Sequence, residues 1–258
     1  MATFIFLLSL VFFTGYLTYI TSIYFVLLWF LLGIVFSFIF LLLIYLIQLP
    51  IVVSLPINHP YKSYLFRSIS YFLNHFILRL VITVEGLENV PETGKLVIIA
   101  NHKSYTDAFP ILEKVKRPMT LTPKKSVMKL PLVNLWLKSY RVFPIDRKNV
   151  RATQKDLEDA IQTIEMGMPI LIFPEGTIRY REEPKIEHMK SGAFKLPLRT
   201  EASILPIKLI GNERARGRAP FRKTYRHLKI LKPIAYETYK DLNTHQIAEL
   251  VMDHMNEA

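Results

Sequence analysis

The chain has 258 residues, a formal net charge of +12 and no cysteine. This length allows one sizeable domain plus an appendage, and the missing cysteines exclude disulfides, thiolate metal sites and a cysteine nucleophile. The positive charge predicts an anionic partner, either a membrane surface or a phosphorylated substrate, whereas no nucleic acid is expected because neither zinc-finger spacing nor a basic helix with interleaved aromatic residues occurs.

Residues 1–58 form an uncharged apolar segment, because every Asp, Glu, Lys and Arg of the chain lies from Lys62 onward. No basic residue precedes the apolar run, and the run is too long for a signal peptide, so we expect a retained membrane anchor. A helix of this length would extend roughly 87 Å, whereas the hydrocarbon core of a bilayer is about 30 Å thick. The segment is therefore expected to turn.

A small polar cluster interrupts the anchor at Thr18, Thr21 and Ser22. We predict a turn there, with one helix near Phe4–Tyr19 and a second near Ile23–Ile47 that ends at Pro50, because proline disrupts a helix interior. The pair either crosses the bilayer twice or sits as a hairpin in one leaflet, and the sequence leaves both topologies open.

Basic residues follow the anchor at Lys62, Arg67 and Arg79. The positive-inside tendency therefore predicts that the later part of the chain lies on the cytosolic face of the cell inner membrane. Within residues 59–80, apolar side chains recur at helical spacing, at Leu65, Ile69, Phe72, Phe76, Ile77 and Leu80. This spacing predicts an amphipathic connector, which lies on the membrane or packs on the domain.

Short apolar runs alternate with helical patterns over residues 81–258. The candidate strands are Val81–Val84, Leu96–Ala100, Met119–Thr122, Val142–Ile145, Ile170–Phe173, Ile204–Leu209 and His227–Leu231. Helical spacing marks two segments, one by Leu157, Ala160, Ile161 and Ile164, the other by Ile247, Leu250, Val251 and Met255. The alternation predicts a layered α/β domain with a mostly parallel central sheet flanked by helices. Such sheets carry their sites at the ends of strands.

The first candidate site segment is Asn101 to Asp107, directly after the strand Leu96–Ala100. His102 and Asp107 can meet if the chain turns into a helix between them. The carboxylate would then orient the imidazole, and the other ring nitrogen could take a proton from a substrate hydroxyl. The structural alternative is that Asn101 or Asp107 caps a helix and His102 is solvated.

Two further segments combine strand ends with arginine. Asp146 and Arg147 close the run Val142–Ile145, where the arginine would chelate a phosphate or form a surface ion pair. After Ile170–Phe173, a Glu175-Gly176-Thr177 turn would expose backbone amides to a ligand, with positive charge added by Arg179 and Arg181. The alternative for this turn is a plain strand-to-helix connection.

A fourth segment, Lys190–Phe194, reads on its own as a helix start, and the apolar strand with Leu205-Pro206-Ile207 follows it. In order and spacing, the four segments resemble the blocks of the PlsC-type glycerophospholipid acyltransferases, the lysophosphatidate acyltransferases. The matching residues are His102 and Asp107 for the His-x4-Asp block, Asp146 and Arg147 for the Asp-Arg block, Phe173 to Thr177 for the Phe-Pro-Glu-Gly-Thr block, Leu205 to Ile207 for the apolar proline block, and Lys124 to Pro131 for the segment ahead of the second block. The resemblance covers roughly residues 80 to 212.

This resemblance implies acyl transfer from a thioester, either acyl-coenzyme A or acyl carrier protein, to a glycerol hydroxyl, without a cofactor or metal. It implies that His102 is the general base and that Asp107 orients it. Asn101, Asp146, Arg147, Glu175, Gly176, Thr177 and Arg179 would then form the acceptor site. Lys124 or Lys125 would stabilise the oxyanion or hold the donor's phosphates, unless both simply belong to a solvated basic face.

One departure from the family pattern keeps the acceptor open. The family usually places Arg directly after Glu-Gly-Thr, whereas this chain has Ile178 there and Arg179 one residue later. We expect lysophosphatidic acid as the acceptor and phosphatidic acid as the product, with another lysophospholipid as the alternative. A rival of another class is a non-catalytic membrane protein that binds anionic lipid.

Overall fold

The fold is known from a computed structural model, which describes residues 1–144, 150–176, 178, 185–211 and 222–258. Its first two helices, α1 (Ala2–Ile20) and α2 (Val26–Ser54), form an antiparallel hairpin. The turn lies at the predicted polar cluster, where Thr21 follows α1 and its Oγ1 accepts a hydrogen bond of 2.9 Å from Trp29 Nε1. Both helical segments are long and apolar enough to cross a membrane.

The hairpin is held together by close helix packing and aromatic contact. A Cβ at Gly33 would lie 2.8 Å from Thr14 Oγ1, so glycine is what allows the helices to approach this closely. Phe13 and Phe36 stack across the interface with ring centroids 4.5 Å apart. On the outward side, most large side chains of α2 are apolar and exposed.

The prediction that Pro50 ends the second helix is wrong. The helix α2 continues through Pro50 to Ser54, and Leu55 caps it with an N–H bond to Ile51 O. Proline removes its own N–H from the helical ladder and its ring crowds the carbonyl four residues earlier, so the tertiary packing of the turn that follows outweighs this cost. Val52 is completely buried in the same apolar cluster as Leu65.

The connector is helical, with α3 (Pro60–Tyr71) followed by a π-helical turn (Phe72–Ile77). Its buried face packs against the protein: Leu65, Phe72 and Asn74 are buried, and Phe66 stacks on Tyr140 with ring centroids 4.5 Å apart. Of the two positions that the sequence left open, the structure therefore shows contact with the domain.

Within the described ranges, the central sheet has six strands, β1 (Leu80–Glu85), β2 (Leu96–Ala100), β3 (Thr120–Leu121), β4 (Ile170–Ile172), β5 (Ser203–Ile210) and β6 (Thr224–Ile230). The spatial order is β1-β6-β5-β2-β4-β3, and every neighbouring pair is parallel except β5 with β6. The predicted mostly parallel sheet is confirmed. The helices along it are α4 (Ala108–Lys114), α5 (Pro131–Ser139), α6 (Val150–Glu165), α7 (Lys195–Thr200), α8 (Tyr236–Tyr239) and α9 (Thr244–Glu257).

The predicted strand Val142–Ile145 is not found over its described part, residues 142–144. This segment runs beside β3 and makes one ladder-like bond, from Phe143 N to Leu121 O at 3.2 Å. Pro144 has no N–H to continue a ladder, and Arg141 has a left-handed backbone with φ of 46°. Both features explain why the apolar run lies at the sheet edge without forming a strand.

Each face of the sheet covers its own apolar core. The alternation of side chains along β2 sends Val97 and Ile99 into a core built with α6, α7 and α9. The intervening residues Leu96 and Ile98 enter a second core, against α4. Because β2 is buried on both faces, its sequence is continuously apolar, as expected for a central parallel strand.

A buried ionic cluster joins α4 to the connector. The Glu113 carboxylate accepts hydrogen bonds from Asn74 Nδ2 at 2.7 Å and His75 Nε2 at 2.9 Å, and Lys114 Nζ lies 2.8 Å from Oε1. Burial alone would raise the pKa of Glu113, but the hydrogen bonds from Lys114, His75 and Asn74 outweigh it and hold the pKa below its ordinary value. We call Glu113, Asn74, His75 and Lys114 the α4 clamp.

Replacing the Glu113 carboxylate tests the α4 clamp. We expect Glu113→Gln to lower the free energy of unfolding by about 1–3 kcal/mol at neutral pH, because hydrogen bonds to a charged acceptor become neutral ones. A carboxyl with a lowered folded-state pKa stabilises the fold above its ordinary pKa of 4.5 and loses this effect as the pH falls through the folded-state value. The deficit should therefore shrink on acidification, as measured by denaturant unfolding in detergent micelles over a pH series.

The matched control is Glu165→Gln, which removes an ion pair of equal length, 2.9 Å to Lys95, at an exposed position. Exposed pairs contribute about 0–1 kcal/mol, so this variant should unfold almost like the parent. Equal effects of the two substitutions would contradict the α4 clamp.

Candidate active site

Three of the parallel strands end at the same edge of the sheet, and the candidate site residues follow those ends. His102 comes two residues after β2, Glu175 three residues after β4 and Lys124 three residues after β3. Since β2 and β4 are direct neighbours, the first two loops meet. This is where open parallel sheets bind ligands.

His102 and Asp107 are in hydrogen-bond contact. His102 Nδ1 lies 3.2 Å from Asp107 Oδ2, and the same oxygen accepts bonds of 2.7 Å from the backbone N–H groups of Lys103 and Ser104. The Asp107 side chain is 1% exposed and the His102 side chain 21% exposed. Asp107 stands directly before α4, yet its side chain does not cap that helix. The helix-cap alternative is therefore excluded for Asp107.

The carboxylate fixes which nitrogen of His102 carries the proton. An ionised carboxylate only accepts hydrogen bonds, so we assign the N–H to Nδ1, which leaves Nε2 as an acceptor. Within the described part of the chain, Nε2 has no hydrogen-bond partner. An imidazole held in this tautomer by a buried carboxylate is able to take a proton from a hydroxyl group.

Phe173 holds the imidazole from a second side. Its ring centroid lies 4.5 Å from that of His102 at an interplanar angle of 32°. From the sequence, Phe173 is predicted only as part of a motif, with no role at the site. The pairing of β2 with β4 explains this contact, because Phe173 directly follows β4 and His102 follows β2.

Glu175 contacts the backbone of His102. Its Oε1 accepts the His102 N–H bond at 2.8 Å. Burial raises the pKa of Glu175, and the charge of Asp107 raises it further, while the His102 N–H bond and the charge of Lys103 act in the opposite direction. Gly176, with φ of 67°, takes the left-handed conformation that this turn requires.

Asn101 is used internally. Its Nδ2 donates to Leu209 O at 3.0 Å and its Oδ1 accepts from Leu209 N at 2.7 Å, so the carboxamide pairs with β5 like a piece of backbone. The side chain is buried in this arrangement. We therefore assign Asn101 to the positioning of the His102 loop rather than to direct contact with a ligand.

Lys124 and Lys125 are exposed on the turn after β3. That strand lies two positions from β2, or about 10 Å at the usual strand spacing. The structure thus brings together His102, Asp107 and Glu175 and sets the two lysines at the same edge, farther from the imidazole.

The remaining predicted site residues, Asp146, Arg147, Thr177 and Arg179, lie outside the described residues. Ile178, at the position of the departure from the family pattern, is partly buried. In the part of the chain that the structure describes, no group of three or more His, Asp or Glu side chains is arranged to hold a metal ion.

Comparison with known proteins shows the family of the chain. A family model described as acyltransferase matches residues 81–210, which include the whole candidate site. A 1-acyl-sn-glycerol-3-phosphate acyltransferase of Borreliella burgdorferi is 31% identical over 128 residues, covering 50% of each chain. A probable 1-acyl-sn-glycerol-3-phosphate acyltransferase of Mycoplasma pneumoniae is 32% identical over 167 residues, covering 62% of this chain and 60% of that one. The chain thus spans half to three fifths of the length of these relatives.

A solved structure shares the fold. The crystal structure of the 1-acyl-sn-glycerophosphate acyltransferase PlsC from Thermotoga maritima matches with a TM-score of 0.63 and 24% sequence identity, covering 76% of this chain and 78% of that one. At this identity the likeness concerns the architecture.

The raised pKa of Glu175 predicts how its substitution acts. A carboxyl whose folded-state pKa is raised contributes stability below its unfolded-state pKa and loses this contribution as the pH rises through the folded-state value. Glu175→Gln keeps an oxygen acceptor for the His102 N–H and removes the buried charge. We therefore expect the free energy of unfolding of this variant to be larger than that of the parent at neutral pH. The difference should vanish at acidic pH.

Glu175→Ala is the matched comparison, because it removes the acceptor as well. Leaving the His102 N–H without its partner should lower the free energy of unfolding by about 1 kcal/mol relative to Glu175→Gln. Denaturant unfolding of both variants at neutral and acidic pH measures the difference. A Gln variant that is as unstable as the Ala variant at neutral pH would show that the charge stabilises the turn, contrary to this prediction.

Proposed function

Since the chain belongs to the acyltransferase family, we propose that it transfers a fatty acyl group from a thioester to the free hydroxyl of lysophosphatidic acid, and so forms phosphatidic acid for phospholipid biosynthesis. The observation that carries this proposal is the contact of 3.2 Å between His102 and the buried Asp107. The names of the relatives from Borreliella and Mycoplasma, which specify 1-acyl-sn-glycerol-3-phosphate, support the same acceptor.

The proposed reaction is a direct transfer. As the acceptor oxygen attacks the thioester carbonyl, His102 Nε2 takes the hydroxyl proton, and Asp107 stabilises the imidazolium through Nδ1. The tetrahedral intermediate then collapses, the carbon–sulfur bond breaks and the proton passes to the leaving thiolate. The chain contains no cysteine, so no acyl-enzyme thioester can form on it.

The substrates are proposed to meet at the strand ends. The site segments of the sequence also contain Asp146, Arg147, Thr177 and Arg179. We assign the acceptor's phosphate to the two arginines, because a guanidinium binds phosphate through two parallel hydrogen bonds. Glu175 and Gly176 shape the turn beside His102. Lys124 and Lys125 would hold the phosphates of acyl-coenzyme A or acyl carrier protein, or support the oxyanion.

The apolar hairpin gives this reaction its location. Acceptor and product are insoluble amphiphiles, and moving a chain from lipid into water costs about 0.8 kcal/mol per CH₂ group. A site fixed at the membrane avoids this cost. The proposed arrangement is a membrane-anchored enzyme with its sheet domain on the cytosolic face, as the basic residues after the hairpin favour.

A second lysophospholipid remains the specific alternative acceptor, because Ile178 stands where the family usually has arginine. A changed side chain in this turn would alter the contacts to the acceptor's head group while leaving His102 and Asp107 in place.

The decisive experiment is a transfer assay. Purified full-length protein is incubated with labelled acyl-coenzyme A or acyl carrier protein and a panel of lysophospholipids, and the product is identified. We expect phosphatidic acid from lysophosphatidic acid, and a loss of about 10²–10⁴-fold in turnover for His102→Ala, the range typical of a general base. Transfer to a different acceptor would identify the alternative, and anionic lipid binding without transfer would identify a non-catalytic protein.

His245→Ala serves as the control in the same assay, since His245 is an exposed histidine at the start of α9 and belongs to none of the site segments. This variant should turn over like the parent. Near-normal turnover by folded His102→Ala would refute the assignment of the base.

Arg147→Ala tests the acceptor's phosphate site. Losing a two-pronged contact to phosphate should raise the KM for lysophosphatidic acid, with a smaller change in kcat, because the reacting hydroxyl and His102 are untouched. Initial rates measured against each substrate in turn separate the two effects. If only the KM of the acyl donor increased, Arg147 would belong to the donor site instead.

A further inference from the structure

A second apolar surface lies outside the hairpin, on α5 and the residue directly before it. Leu130, Leu132, Val133 and Leu135 are 39–54% exposed within six consecutive positions. We call these four residues the α5 face. Soluble surfaces rarely group large apolar side chains in this way, and a contiguous patch of them indicates a contact with protein or membrane.

The α5 face is continuous with the base of the hairpin. Trp136, the next residue of α5, packs on Tyr45 of α2 with ring centroids 5.4 Å apart. Tyr45 in turn donates a hydrogen bond to Leu65 O of α3 at 3.3 Å. A membrane that surrounds the apolar side of α2 would therefore reach α5 directly.

The end of α5 is fixed to the connector by a reciprocal pair of hydrogen bonds. The buried Lys62 ammonium donates to Ser139 O, the last residue of α5, at 2.9 Å, and the Tyr140 hydroxyl donates to Lys62 O at 2.7 Å. These two bonds hold α5 in one orientation relative to α3. The apolar side chains are thus kept at the surface by contacts of the fold.

The basic residues around the α5 face indicate which partner it contacts. From Lys114 to Ile145 the sequence contains eight Lys or Arg residues and no Asp or Glu. Lys125, Lys129 and Lys138 flank the α5 face and are exposed. A second copy of this segment would carry the same charge and be repelled, whereas an anionic lipid surface attracts basic residues and accepts apolar side chains among its acyl chains.

We propose that α5 is a third membrane contact, which lies along the bilayer surface beside the hairpin with Leu132 and Leu135 among the acyl chains and the flanking lysines at the lipid phosphates. The inference shares with the proposed function the premise that the hairpin is in a membrane. Since the chain runs from β3 through Lys124 and Lys125 into α5, this contact brings the site edge of the sheet to the level of the head groups.

Depth labelling tests the contact without relying on activity. The chain has no cysteine, so Leu132→Cys and Leu135→Cys each give one labelling site in the full-length protein. The probe is an environment-sensitive fluorophore, and the protein is reconstituted in vesicles of phosphatidylcholine and phosphatidylglycerol. We expect both labels to be quenched by nitroxide groups on lipid acyl chains and protected from aqueous iodide.

Leu87→Cys is the matched control. The exposed fraction of Leu87 is 38%, close to the 39% of Leu132. Leu87 follows β1, which runs antiparallel to β2, so it lies at the opposite strand ends from His102. Its label should be quenched by iodide and not by the lipid nitroxides. Iodide quenching of the Leu132 and Leu135 labels to the same extent as Leu87 would overturn the proposal. Spontaneous crosslinking of Leu132→Cys between copies, without lipid quenching, would overturn it in favour of a dimer.

A second variant links the contact to acyl transfer. Leu132→Glu combined with Leu135→Glu should lower turnover about tenfold on long-chain lysophosphatidic acid in anionic vesicles, because exposed apolar area that lipid would bury becomes charged. Turnover on a short-chain, water-soluble lysophosphatidic acid should be unchanged, as should both rates for Leu87→Glu. Equal losses on the two acceptors, or no loss on vesicles, would contradict a membrane contact that serves the reaction. Failure of the parent to transfer acyl groups would refute the proposed function, while the labels would still report the depth of α5.

Discussion

The site depends on the position of β2 between β4 and β5. Val97 and Ile99 pair with Ile170 and Ile172 on one side, while Ile99 and Ala100 pair with Pro206 and Ile207 on the other. The strand is completely or almost completely buried, so a register shift by one residue would exchange its two core faces and is strongly disfavoured. This register places His102 beside Glu175 of the β4 loop and directs the Asn101 carboxamide onto the β5 backbone at Leu209. The geometry of the candidate site is thus set by the packing of apolar side chains several residues away.

A short helix connects the N-terminal part of the chain to that geometry. Asp107 stands at the start of α4 and Glu113 near its end, so the two carboxylates lie at opposite ends of one helix of seven residues. The first orients His102, and the second is bound by Asn74 and His75 of the connector. Together with the bond from Lys62 to Ser139, these contacts attach the connector to both α4 and α5. The proposed general base and the proposed membrane contact are therefore positioned by the same 18-residue stretch from Pro60 to Ile77.

Much of this could be predicted from the sequence because the relevant signals are local. Continuous apolar runs predict most of the strands, and the spacing of His102 and Asp107 allows their contact, which the structure shows. The prediction for Pro50 was wrong because the packing of Val52 against distant residues decides whether the helix continues. Asn101 was assigned to the acceptor site, although its partner Leu209 lies 108 positions along the chain. The pairing of Glu113 with Asn74 had no local signal either, since neither residue belongs to a recognisable motif.

The charges at the site bear on what it is able to bind. Asp107 and Glu175 both contact His102, and the pKa of Glu175 is raised by burial and, to a smaller extent, by the charge of Asp107. An acceptor phosphate brings further negative charge to the same place and would favour protonation of Glu175 even more. Lys103 is buried beside them and lowers the pKa of Glu175, but one cation balances only part of this charge. Binding a phosphorylated acceptor therefore requires additional cations, and the sequence contains arginines at positions 147, 179 and 181. For the proposed acceptor, an anionic lipid, the excess of basic residues would offset the negative charge of the two carboxyls beside His102.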